Sequence, residues 1–177
     1  MPGERTINTK VVYTGRVVRV RVDTIRMPDG GVAQREVVEH ADAVHILAMD
    51  ARGHLLLVRQ YRNPADKELL EVPAGGIRPG EAVEEAAQRE LREETGYRAG
   101  SLERVTSVYS TPGFCTELNH LLFAWDLTYD PLPADSDESI RVVSVSPEEA
   151  LRMVKAGEVG DAKSVTALLL YLFARGR

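Results

Sequence analysis

Three glutamates in one short segment are spaced to do chemistry. The run EAVEEAAQRELREETGY, residues 81–97, follows the Pro/Gly-rich loop PAGGIRPG and reads as a helix from about Ala82 to Glu94 that stops at Gly96. With Val83 set to zero and about 100° per residue, Ala86 falls at about 300°, Ala87 at about 40° and Leu91 at about 80°, one apolar stripe. Glu90, at about 340°, and Glu94, at about 20°, lie inside that stripe, and Glu93, at about 280°, borders it. Half-buried carboxylates one turn apart repel and are driven towards protonation unless something compensates them. A hard divalent cation, Mg²⁺ or Mn²⁺, is the economical answer, because it takes oxygen ligands and is held by a few carboxylates plus substrate phosphates. Arg89, one turn before Glu93, can pair with it and fix its orientation. The competing reading is an ordinary charge-rich helix whose Glu/Arg pairs decorate a solvated face.

The elements that must position this helix are legible as hydrophobic patterns. Val11 to Ile25 alternates for long stretches, Pro28 to Gly31 supplies a turn, and Arg35 to Glu39 resumes an extended pattern, a hairpin-like N-terminal unit. Ala43–Met49 and His54–Tyr61 read as adjacent strands around a tight turn at Asp50–Gly53, followed by Leu69–Val72. Further strands fit Leu102–Ser110, Leu118–Leu127 and Ile140–Val145; helices fit Pro147–Ala156, capped by Ser146, and Ala162–Phe173. These elements predict an α/β fold, a mixed sheet with helices on its faces. The expected division is an N-terminal strand unit over residues 1–40 and a main domain over residues 41–177.

Composition bounds the function. The 177 residues carry 22 Lys plus Arg against 27 Asp plus Glu, a net charge of −5, which argues against a nucleic-acid partner bound through its phosphates. No apolar run reaches the roughly 20 residues that span a bilayer, and MPGERTINTK lacks the apolar segment of a signal peptide, so no membrane association and a cytoplasmic location are expected. The single cysteine, Cys115, excludes an intramolecular disulfide and suits a reducing compartment. Gly75 and Gly76 are not followed by the lysine of a phosphate-cradling P-loop. His40, His45, His54 and His120 lack metal-ligand spacing and read as structural.

The segment from Gly75 to Tyr97 resembles the Nudix box at every fixed position: Gly75, Glu81, Arg89, Glu90, apolar Leu91, Glu93, Glu94, Gly96 and apolar Tyr97. Most of the chain resembles the Nudix hydrolase family in the order of its elements, which implies an α/β/α sandwich binding roughly two or three Mg²⁺ or Mn²⁺ ions. Pro112, sixteen residues after Gly96 in STPGFCTE, resembles the ADP-ribose pyrophosphatase subfamily. The resemblance implies metal ligation by the Ala74 carbonyl, Glu90, Glu94 and, in the late acidic loop ADSDESIRV, Glu138. Where the subfamily has a general-base glutamate two positions before that last ligand, this chain has Ser136. Asp135, Asp137, Glu138 and Glu93 are then the candidate bases, with Glu93 and Glu138 ranked first.

The resemblance also implies that Arg62 holds a diphosphate oxygen and that Thr111, Gly113 and Glu117 meet the terminal ribose. It implies that Arg35 and Glu36 reach across a homodimer to the partner's adenosine. Tyr13 is a further candidate for stacking on a base. The expected activity is metal-dependent hydrolysis of ADP-ribose to AMP and ribose 5-phosphate. The alternatives are hydrolysis of another nucleoside diphosphate sugar such as GDP-mannose, or a non-catalytic ADP-ribose sensor.

Overall fold

The computed structural model describes residues 3–133 and 139–175. The chain divides into two compact units: residues 1–42 with 109–118, and residues 43–108 with 119–177.

The first unit is built on three antiparallel strands, β1 (Arg5–Thr14), β2 (Val18–Arg26) and β3 (Val32–His40), with β2 in the centre. The alternating run from Val11 to Ile25 is therefore two strands, not one. The chain turns at Gly15, whose N–H donates to the Val18 carbonyl at 2.9 Å. The apolar run carries across this turn because Val17, 60% exposed and in no strand, adjoins Val18, the first residue of β2. The loop 110–117 belongs to this unit because its backbone pairs with β3: Val38 N–H donates to Phe114 O at 2.7 Å and Thr116 N–H to Val38 O at 3.0 Å.

The second unit carries the box helix. Its elements are β4 (Ala43–Met49), β5 (Leu55–Arg62), β6 (Lys67–Glu71), β7 (Ala74–Gly76), α1 (Val83–Thr95), β8 (Tyr97–Tyr109), β9 (Leu118–Tyr129), β10 (Ile140–Val145), α2 (Pro147–Ala156) and α3 (Ala162–Arg175). They form a mixed sheet in the order β10-β5-β4-β9-β8, with β6 on β5 and β7 on β4. The β4–β9 pair is parallel. Strand β4 reads as a continuous apolar run because both its faces are covered. Ile46 packs with Leu91 of α1 on one side, and Leu47 packs with Leu168 of α3 on the other. The closing helix buries one face, through Ala167, Leu168 and Tyr171, and leaves Leu169 and Phe173 exposed. Among the described residues no helix is long and apolar enough to cross a membrane.

Three local features set the position of α1. The segment Ala74–Gly76, legible only as loop in the sequence, is a short strand clipped onto β4 by the pairs Ala43↔Gly76 and His45↔Ala74, with Ile46 N–H donating to Pro73 O at 2.8 Å. The helix starts at Ala82, which has no side-chain acceptor, so only the reverse half of a capping box forms: Ala82 N–H donates to the Glu85 carboxylate at 3.0 Å. It ends at Gly96 in the left-handed region, φ 78°, which lets β8 begin at Tyr97, earlier than the pattern suggested. A Cβ at Gly96 would also lie 2.8 Å from the ring of Tyr129. Gly96→Ala is therefore expected to destabilise the protein by about 1–2 kcal/mol or more, measured as a lower urea midpoint; an unchanged midpoint would contradict this account of the helix end.

Candidate active site

One turn of the wheel holds in three dimensions: Ala86, Ala87 and Leu91 are fully buried, and Glu94 is buried beside them. The side chains of Glu90 and Glu93 are only 13% and 14% exposed, and that of Arg89 12%. Glu84 and Glu85, outside the stripe, are exposed.

Arg89 organises the group. Its Nε and Nη2 donate to the two oxygens of Glu81 at 2.8 and 2.9 Å, and Nη2 also donates to the carbonyl of Gly76 at 2.9 Å. Its Nη1 donates to Glu90 at 2.5 Å and to Glu93 at 3.0 Å, so the pairing expected from one-turn spacing forms. The hydrogen bonds to Glu81, then those to Glu90 and Glu93, push the guanidinium above its ordinary range and keep it charged. Glu81 is held below the ordinary carboxylate range chiefly by Arg89, with the Arg78 backbone N–H assisting. Arg78 itself approaches Glu93 at 3.7 Å.

The loop meets the helix at two points. Ala74 N–H donates to Glu94 Oε2 at 3.0 Å, which fixes that carboxylate beside β7. A Cβ at Gly75 would run into the Glu90 carboxylate, so only glycine lets backbone and carboxylate approach so closely. The Arg89 guanidinium thus faces three carboxylates, one of which Arg78 also approaches, and Glu94 is a fourth, on the same helix as Glu90 and Glu93. This donor set, all oxygen and short of positive charge, is chemically suited to a divalent cation. Among the described residues no three His, Cys, Asp or Glu side chains are gathered closely enough to hold a metal. Glu138, with Asp135, Ser136 and Asp137, lies outside the described residues.

The remaining expected residues fall in both units. Arg62, at the end of β5, donates from Nε and Nη2 to Glu71 of β6. The pattern gave no signal for Glu71: in KELLE it stands between inward-facing Leu70 and Val72 and reads as a solvent position, yet it is buried. Glu81 was visible only as a fixed position of the box, with no hint that it takes both edges of Arg89. In the first unit Arg35 pairs with Glu4, Glu36 is exposed on β3, Thr111 and Gly113 are exposed, and Glu117 lies 3.6 Å from Nδ1 of His40. Tyr13 is exposed on β1.

Comparison with known proteins fits this geometry to a family. Residues 39–168 match the family described as NUDIX domain, and residues 4–38 match the nucleoside diphosphate sugar hydrolase N-terminal domain. The chain is 38% identical over 167 residues to the ADP-ribose pyrophosphatase of Bacillus subtilis, covering 93% of this chain and 90% of that protein. It is 31% identical to the GDP-mannose pyrophosphatase of Pectobacterium atrosepticum, covering 86% and 84%. A crystal structure of an ADP compounds hydrolase superposes with a TM-score of 0.90 at 26% identity, covering 100% of this chain and 98% of that one.

The Arg89–Glu81 contact has a pH signature. Because the folded pKa of Glu81 is depressed, its stabilisation is present above the ordinary glutamate value, about 4.3, and is lost as pH falls through the lower folded value. Urea unfolding of the wild type and Glu81→Gln is expected to differ most near neutrality and to converge as pH drops below about 4; a difference independent of pH would contradict the assignment.

Proposed function

Since the chain belongs to the Nudix family, we propose that it is a divalent-metal-dependent hydrolase that cleaves the diphosphate of ADP-ribose, adding water across the P–O–P bond to give AMP and ribose 5-phosphate. The observation that carries this reading is the Arg89-clamped set of half-buried carboxylates beside Ala74 and Gly75. The near-full-length similarity to an ADP-ribose pyrophosphatase supports the substrate.

Glu90 and Glu94, the Ala74 carbonyl and Glu138 would hold roughly two or three Mg²⁺ or Mn²⁺ ions. When bound, these ions supply Lewis-acid polarisation of the diphosphate and acidify a water. The chain's own residues do the rest. Arg89 fixes the rotamers of Glu90 and Glu93, so neither carboxylate has to be ordered during the reaction. Arg62 offers a planar charged fork to a diphosphate oxygen and offsets charge as the bond breaks. Glu93 or Glu138 accepts the proton of the attacking water. Thr111, Gly113 and Glu117 contact the terminal ribose.

The working form is a homodimer in the cytoplasm, in which Arg35 and Glu36 of one copy complete the adenosine site of the other. The exposure of β1 along its whole length supports a second copy: it is an edge strand carrying exposed Ile7, Val11, Val12 and Tyr13, surface that a lone chain gains nothing by leaving bare. The similarity to a GDP-mannose pyrophosphatase supports a second reading with the same chemistry and a different sugar nucleotide.

Two experiments test the proposal. Glu94→Gln is expected to lower kcat for AMP release from ADP-ribose by about two orders of magnitude or more with an unchanged far-UV spectrum; near wild-type turnover at saturating Mg²⁺ would remove Glu94 from the metal site. Glu93→Gln and Glu138→Gln, assayed alongside, separate the two candidate bases by which one flattens the acid limb of the pH–rate profile. For the shared site, Arg35→Ala and Glu94→Gln proteins are each expected to be weak alone. Unfolded and refolded together, they should recover about a quarter of wild-type activity, because half the dimers are mixed and each mixed dimer has one intact site; no recovery would mean that each chain works by itself.

A further inference from the structure

Glu71 is a buried carboxylate that none of these steps uses. Its partner is Arg62: Nε donates to Oε1 at 3.0 Å and to Oε2 at 3.2 Å, and Nη2 donates to Oε2 at 2.6 Å. This is a fork-on-fork pair, the arrangement that fixes the plane of a guanidinium as well as its position. The two ends are buried unequally. The Glu71 side chain is 6% exposed and that of Arg62 39%. An ion pair kept only to fill the interior would bury both heads, and a buried ion pair is a poor stabiliser compared with an apolar pair of the same size. Here the carboxylate is anchored inside, while the arginine head, held along its Nε–Nη2 edge, still reaches solvent.

The sheet sets where that head points. Leu56 packs into the α1-side core, and alternation along β5 puts Val58, Gln60 and Arg62 on the same side. Glu71 is registered opposite Val58, so it faces that side too. Arg62 and Glu71 therefore project from paired strands on the side of the sheet that carries Glu90 and Glu94. The same backbone that holds Glu71 continues through Pro73, whose carbonyl is bonded to Ile46, into Ala74. The fork and the loop that contacts Glu94 are thus carried on one short, hydrogen-bonded stretch.

We propose that Glu71 is a positioning residue for Arg62, presetting its guanidinium so that the diphosphate meets an oriented fork instead of a flexible side chain. The proposal rests on the reading of Arg62 as the diphosphate-binding arginine. Glu71 acts only through Arg62, so its effect must vanish when Arg62 is gone, which a purely structural role would not require.

The test is a double-mutant cycle on the full-length protein with ADP-ribose and Mg²⁺, thermal melts being recorded for every variant. Glu71→Gln is expected to lower kcat/KM roughly 10- to 100-fold, Glu71→Asp to recover part of that loss, and Arg62→Ala to lose as much or more. The double variant Glu71→Gln/Arg62→Ala is expected to be no worse than Arg62→Ala alone. Wild-type kcat/KM in a folded Glu71→Gln or Arg62→Ala protein, or losses that multiply in the double variant, would overturn the proposal. Should Glu71→Gln not fold, Glu71→Met, neutral and of similar length, takes its place, and a folded Glu71→Met with unshifted kcat/KM overturns the proposal equally, as does a folded Arg62→Ala with unshifted kcat/KM. An inactive wild type would sink the proposed function and this inference together; an active wild type with indifferent variants sinks this inference alone.

Discussion

The arrangement around α1 depends on a single guanidinium. Arg89 is charged, nearly buried, and bonded to Glu81, Glu90, Glu93 and the Gly76 carbonyl. Without it, Glu81, Glu90 and Glu93 would lose the guanidinium that all three share in a poorly solvated pocket, and Arg78, 3.7 Å from Glu93, would offset only part of their repulsion. With it, and with Arg78 3.7 Å from Glu93, the repulsion is reduced but not cancelled, because two guanidinium groups meet the four carboxylates of Glu81, Glu90, Glu93 and Glu94. That remaining deficit suits the pocket to the divalent cation proposed above, and Arg89 also ties the loop to the helix through Gly76.

Around this centre the fold supplies rigidity where a site needs it. Strand β7 is only three residues long, yet its pairing to β4 holds Ala74 and Gly75 in fixed relation to Glu94 and Glu90. The β4 strand it leans on is packed on both faces, so the loop is anchored to the best-buried part of the second unit. Positioning of this kind is carried by backbone contacts and by glycine's missing side chain, so Ala74 and Gly75, which have no functional groups, set where the Glu94 and Glu90 carboxylates sit.

Much of this was legible in the sequence. The helical stripe placed Glu90 and Glu94 inward because a 3.6-residue period is a strong signal over thirteen residues. The bounds of β4, β10 and α2, and the Ser146 cap on α2, follow from local patterns that tertiary packing did not override. What stayed hidden depends on long-range contact. Strand β7 exists only because β4 offers it a partner. The burial of Glu71 comes from what covers its side of the sheet, and a Glu between Leu70 and Val72 looks like any solvent position. Gly15 hides a turn inside a valine-rich run because the exposed Val17 looks like a strand residue.

The −5 net charge of the chain now has a location, since residues 81–94 hold six acidic residues against two basic ones. An anionic diphosphate approaching such a surplus of acidic residues is repelled unless cations accompany it, and divalent-metal dependence is therefore the proposal to test. Its most direct test is product analysis by ³¹P NMR of purified protein mixed with ADP-ribose, first in EDTA and then with excess Mg²⁺. No turnover is expected in EDTA and, after Mg²⁺ is added, AMP and ribose 5-phosphate are expected in equal amounts. Turnover that persists in EDTA, or ADP-ribose that binds in Mg²⁺ and is not cleaved, would contradict the proposal.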